Sequence, residues 1–134
     1  MRKITGSCLC GAVSFEVLDD FENFHLCHCV QCRKITGSAH ASNLFIASEK
    51  LQILSGEDQI SQYSDGDRNF SKSFCRICGS GLPYASKTSN RLVIPAGSLD
   101  AEPELPPQDN IFWSERAGWY EIGLAAETFD HFPE

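Results

Sequence analysis

An all-β domain with little helix is the fold class predicted for this chain, and three observations predict it. Apolar and polar residues alternate at period two in several short segments, as half-buried strands require. Gly, Asp, Ser or Pro punctuates the gaps between those segments. Only "CVQCRKIT" reads as a helical turn.

Taken in order, "GAVSFEV" sets Val13, Phe15 and Val17 on one face and Ser14 and Glu16 on the other, a half-buried strand. Further strands are expected at "ENFHL", "SNLFIAS", "LQILSG", "QISQYS", "SKSFC", "RLVIPAG" and "NIFWSE". The proline-rich, acidic "DAEPELPPQDN" reads as an irregular surface connection between the last two of these. The stretch "EIGLAAETFD" is ambiguous between helix and loop.

At 134 residues the chain is the size of one ordinary domain, so a single unit spanning 1–134 is expected. Its 42% hydrophobic and 22% charged residues are those of a globular protein, and no apolar run approaches the roughly 20 residues of a membrane span. The opening "MRKITGSCLCGAVSF" has two basic residues but no apolar core behind them; no secretory signal is expected, and a cytoplasmic setting is the default. The formal charge of −7, from 18 acids against 11 Lys plus Arg, leaves no basic stripe to follow a phosphate backbone, so nucleic acid is not an expected partner.

The seven cysteines carry the chemistry. In a reducing compartment they read as metal ligands before disulfides, and the odd count argues the same way. They form three groups: Cys8 and Cys10; Cys27, Cys29 and Cys32; Cys75 and Cys78. Seven divides as four plus three, and a structural zinc takes four ligands whereas a reactive one keeps three and an exchangeable fourth position. "FCRICGSG" has the C-x-x-C-G form of a zinc knuckle and "SCLCGA" a shorter version, their glycines permitting positive φ. Cys8, Cys10, Cys75 and Cys78 are therefore the predicted structural zinc site, joining distant segments into one domain.

Cys27, Cys29 and Cys32 remain, close enough for one loop to wrap them around a second ion. The fourth corner is either open or closed by His25, His28 or His40. Against His28, its place between Cys27 and Cys29 in extended backbone turns its side chain away from theirs. An open three-thiolate zinc is a poor activator of water but a good site for a substrate thiol, which it would hold as a nucleophile. The expected substrates are a small thiol and an electrophile. Arg33 and Lys34 follow the loop, either receiving a substrate carboxylate or lying solvated on the surface.

With these residues in view the chain resembles the glutathione-dependent formaldehyde-activating enzyme (GFA) family, also called the centromere-protein-V-like family, of the Mss4-like fold. The matching elements are "GSCLCGAVSFEV", "CHCVQCRKITGSA", "FCRICGSGL", "VIPAGSLD" and "PELPPQDNIFWSERAGWYEI". The resemblance implies a small all-β fold of packed sheets, a structural zinc on Cys8, Cys10, Cys75 and Cys78, and a labile catalytic zinc on Cys27, Cys29 and Cys32. It further implies a carbon–sulfur lyase that condenses formaldehyde with glutathione to S-hydroxymethylglutathione.

Phe112, Trp113, Trp119 and Tyr120 are candidates to wall a site facing that zinc, although aromatic rings in a small β domain are usually core. Asp100 is expected to organise a turn. Two readings from other classes stand beside the lyase. One is a non-catalytic Mss4-like binding module with two structural zincs; the other is a thiol cluster in the middle loop that closes a disulfide when metal leaves.

Overall fold

The computed structural model describes residues 1–133. In chain order the strands are β1 (Lys3–Ser7), β2 (Ser14–Leu18), β3 (Asn23–Cys27), β4 (Ala41–Ala47), β5 (Leu51–Ser55), β6 (Ile60–Asp65), β7 (Phe70–Cys75), β8 (Gly81–Leu82), β9 (Tyr84–Ala85), β10 (Arg91–Pro95) and β11 (Asp109–Ile111). Helix α1 (Val30–Thr36) lies between β3 and β4, and α2 (Trp119–Leu124) follows β11. The strands form three sheets, ordered β1-β2-β5, β11-β3-β4-β10-β9 and β6-β7-β8. Pairing is antiparallel except between β11 and β3, which run parallel.

The period-two pattern has the expected consequence. Val13, Phe15 and Val17 are all fully buried. Phe15 and Val17, with Ile4 of β1, pack on Phe24, Leu44, Ile46 and Ile94 of the five-stranded sheet to make the main core. Each such side chain contributes about 1.5–3 kcal/mol on burial. Gly6 sits opposite Phe15 in the β1–β2 register. A Cβ on Gly6 would lie 2.4 Å from Phe15 Cζ and 2.7 Å from the Ser98 carbonyl oxygen, so the close approach of ring and backbone requires glycine.

Three local expectations need correction. Strand β1 was not anticipated, because "KITGS" offers only one large apolar residue and earns its place through pairing with β2. "NIFWSE" is extended only as far as Ile111; Phe112 turns to φ 53°, and Trp113–Glu115 make a 3₁₀ turn. The late aromatics are not core, since Phe112, Trp113 and Trp119 are 57%, 36% and 57% exposed. The ambiguous stretch resolves partly, with its first residues inside α2. No helix among the described residues is long and apolar enough to cross a membrane.

Candidate metal centres

Two loops of matching form bring the outer cysteines together. After β1, the Gly11 N–H donates to the Cys8 carbonyl at 3.1 Å with Gly11 at φ 80°. After β7, the Gly79 N–H donates to the Cys75 carbonyl at 2.7 Å, again at φ 80°. Both turns need a conformation glycine reaches freely, which is why each cysteine pair is followed by one. Cys8 and Cys75 are buried with Val13 and Leu82 in a small second core, while Cys10 is exposed.

The four sulfurs of Cys8, Cys10, Cys75 and Cys78 all lie within 4.8 Å of one another. Cys10 Sγ is 3.6 Å from Cys8 Sγ and 3.8 Å from Cys75 Sγ. Four thiolates bonded at the usual length of about 2.3 Å leave tetrahedral edges of roughly 3.8 Å, so these residues fit a zinc ion. The Ser80 hydroxyl completes the arrangement: it accepts from the Leu9 N–H at 3.0 Å and lies 3.2 Å from Cys78 Sγ. That hydroxyl, with the Cys10 backbone, holds the Cys78 thiol down to about 5. Its role was not anticipated; the serine inside "CGSG" is the only trace of it.

The second group, Cys27, Cys29 and Cys32, also has its sulfurs within 4.8 Å, and no histidine joins it among the described residues. Cys27 closes β3, Cys29 caps α1, and Cys32 lies in the first turn of that helix. The Cys29 sulfur accepts from the Cys32 N–H at 3.3 Å and lies 3.5 Å from Cys27 Sγ. Gly37, at φ 68°, ends the helix by donating to the Arg33 carbonyl. Hydrogen bonding with Cys32 holds the Cys27 thiol down to about 6, while the same bond and burial push Cys32 up. Burial also pushes the Tyr84 phenol up, and the charge of the three thiolates adds to it.

Each histidine proposed for the fourth corner is engaged elsewhere. His25 Nδ1 bonds Asp109 Oδ1 at 2.6 Å, across the parallel β3–β11 pairing. His28 is fully buried with Nε2 2.9 Å from Asn110 Oδ1, and its Nδ1 has no hydrogen-bond partner among the described residues. Its ring meets those of His40, Trp113 and Tyr120 at centroid distances of 5.1, 5.0 and 4.8 Å. His40 Nδ1 contacts the Ser42 hydroxyl at 3.2 Å. Thus Trp113 and Tyr120 do gather beside the middle loop, on His28, whereas Trp119 flanks a surface hollow with Val30, Arg33 and Lys34.

Arg33 donates to the Glu115 carbonyl at 2.9 Å, and Glu115 Oε1 accepts from the Val30 N–H at 3.0 Å, tying α1 to the late segment. Lys34 is exposed. Asp100 does not organise a turn of its own; it clasps β1, accepting from Thr5 Oγ1 at 2.7 Å while its N–H donates to the Thr5 carbonyl at 2.8 Å.

Residues 3–115 match the sequence pattern of the family described as glutathione-dependent formaldehyde-activating enzyme. A Halomonas elongata protein named as a candidate enzyme of that kind is 31% identical over 131 residues, an alignment covering 89% of this chain and 80% of that one. The crystal structure of a Rhodobacter sphaeroides protein superposes with a TM-score of 0.58 at 24% identity, over 79% of this chain and 98% of that one, so the two share a fold.

Proposed function

The chain belongs to the glutathione-dependent formaldehyde-activating enzyme family, and from that premise we propose that it is a zinc-dependent carbon–sulfur lyase, adding a small thiol such as glutathione reversibly to formaldehyde or a related electrophile. Cys8, Cys10, Cys75 and Cys78 would hold a structural zinc, and Cys27, Cys29 and Cys32 a second, labile one. When bound in the middle loop, zinc supplies the Lewis acidity that keeps a substrate thiol ionised near neutral pH. The cytoplasm, where thiols stay reduced, is the setting that suits such a centre.

The protein's own residues define the rest. β3 and α1 fix the three sulfurs in one small volume, with the Cys32 N–H holding Cys29 in place. Asn110 draws the His28 ring into the aromatic cluster. The single observation that carries the reading is this: three converging sulfurs have no fourth protein ligand among the described residues, and the nearby histidines are bonded to Asp109, Asn110 and Ser42. A three-ligand site is what a reacting zinc needs.

The test is exchange NMR on a mixture of formaldehyde and glutathione. Wild-type protein is expected to accelerate the exchange, and Cys29→Ser to abolish the acceleration while the outer centre keeps its metal. No acceleration by the zinc-loaded wild type would overturn the activity and favour a non-catalytic binding module.

A further inference from the structure

Between the outer-cluster loops and the C-terminal end of α1 lies a cavity of about 650 Å³, whose walls include Ser7, Thr36, Lys72, Ser80 and Asp100. Lys72 is the only cation among its lining residues. The strand pattern explains why it is there. In β7, Ser71, Ser73 and Cys75 turn inward, so Lys72 falls on the opposite face, where it is only half-covered.

Partial burial without a partner sets Lys72 apart, since Lys34, also without a partner among the described residues, is exposed. Lys3 pairs with Glu16, Lys50 with Asp20, and Lys87 bonds Ser64. Lys72 has no hydrogen-bond or ion-pair partner among the described residues. Asp100 lines the same cavity but is engaged with Thr5 and does not neutralise it. Gly81 leaves room for the ammonium: a Cβ there would lie 3.1 Å from Lys72 Nζ and 3.7 Å from Cε. Burial pushes the Lys72 ammonium below the ordinary lysine value, so an incoming anion would relieve a desolvated charge.

The cavity reaches the C-terminal end of α1, the helix whose first turn carries Cys32. Thr36, in its wall, donates from Oγ1 to the Cys32 carbonyl at 2.8 Å. One helical turn, about 6 Å along the axis, separates these two residues, a span that a small peptide thiol can bridge.

We propose that this cavity is an anion-binding subsite in which the Lys72 ammonium receives a carboxylate of the thiol substrate, with the thiol directed toward Cys27, Cys29 and Cys32. The subsite deepens the thiol-activating reading of the middle loop and rests on it. It makes the preferred substrate a thiol carrying a carboxylate, and it assigns the carboxylate to Lys72 instead of Arg33 or Lys34.

S-methylglutathione, which keeps both carboxylates but has no free thiol, separates binding from chemistry. Its affinity for the zinc-loaded protein is measured by isothermal titration calorimetry. Lys72→Met is expected to weaken binding roughly 10- to 100-fold, the loss of one charge-assisted hydrogen bond, and Lys72→Arg to restore most of it. Gly81→Ala, which leaves the charge and crowds Nζ, should weaken binding a few-fold. 2-Mercaptoethanol, a thiol without a carboxylate, should bind wild type and Lys72→Met alike, read from the charge-transfer absorption of the cobalt-substituted protein. Equal affinity of wild type and Lys72→Met for S-methylglutathione overturns the subsite, as does an absence of binding to the wild type. Lys72-dependent binding without formaldehyde exchange keeps the subsite and removes the lyase reading; exchange indifferent to Lys72 does the reverse.

Discussion

The Ser80 hydroxyl lies 3.2 Å from Cys78 Sγ while accepting the Leu9 N–H at 3.0 Å, so one side chain joins the two knuckles that carry the outer sulfurs. Groups that hold metal ligands from behind set their orientation and charge. Ser80→Ala removes the donor that keeps Cys78 ionised and frees the Leu9 loop. The outer centre should then lose about 10- to 100-fold in zinc affinity, measured by competition with a chromophoric chelator at pH 7. Unchanged affinity would reduce Ser80 to a loop spacer.

The two centres should part company under mild chelation. Four thiolates, two of them buried with Val13 and Leu82, offer no open corner, whereas the middle sulfurs have no fourth protein ligand among the described residues. One zinc should leave quickly and the other slowly. Cys29→Ser is expected to erase the fast phase and leave the fold intact, read by metal release and circular dichroism. Cys75→Ser should instead unfold the chain, because the outer metal joins the loop after β1 to the loop after β7. Two slow phases in the wild type would point to two structural metals.

Much of this was legible in the sequence, for identifiable reasons. The alternation of Val13, Phe15 and Val17 and the spacing of the cysteines are local patterns, and the structure keeps both. What was not legible depends on partners far away in the chain. Nothing around Asn110 announces that it holds His28, because the parallel β11–β3 pairing that brings them together is a tertiary event. Lys72 likewise looks like any polar residue of an alternating strand until α1 and the Ser7 loop close around it. Phe112 was misread for a related reason: a bulky residue at φ 53° runs against local preference, so "NIFWSE" looked like a full strand.

Within the first sheet the Phe15 ring of β2 lies against Gly6 of β1, the residue it pairs with. Gly6→Ala would drive a methyl to 2.4 Å from Phe15 Cζ with the Ser98 carbonyl behind it, leaving neither neighbour an easy retreat. A loss of about 1–3 kcal/mol is expected from the overpacking. Phe15→Ala removes a fully buried ring and should cost about 3–5 kcal/mol. Because the double variant relieves the clash, its loss in urea unfolding should fall below the sum of the two single losses. Strict additivity would mean that the ring and the glycine do not press on one another.

His40 supplies a test of the aromatic cluster by pH. Burial among His28 and Tyr120 holds its imidazole below the ordinary histidine value; positive charge on His28 adds to this, and the Ala41 backbone opposes it. A histidine whose folded pKa is depressed binds its proton less readily in the native state than in the unfolded one. Its neutral form therefore favours the fold fully above about pH 6.5, the unfolded value, and this contribution is lost as pH falls from there through the folded pKa. NMR titration of the imidazole carbons should show His40 turning over below pH 6.5, and His40→Gln should flatten that part of the stability profile. A midpoint at or above 6.5 would mean that the ring is solvated in solution and that the late segment does not close over the middle loop.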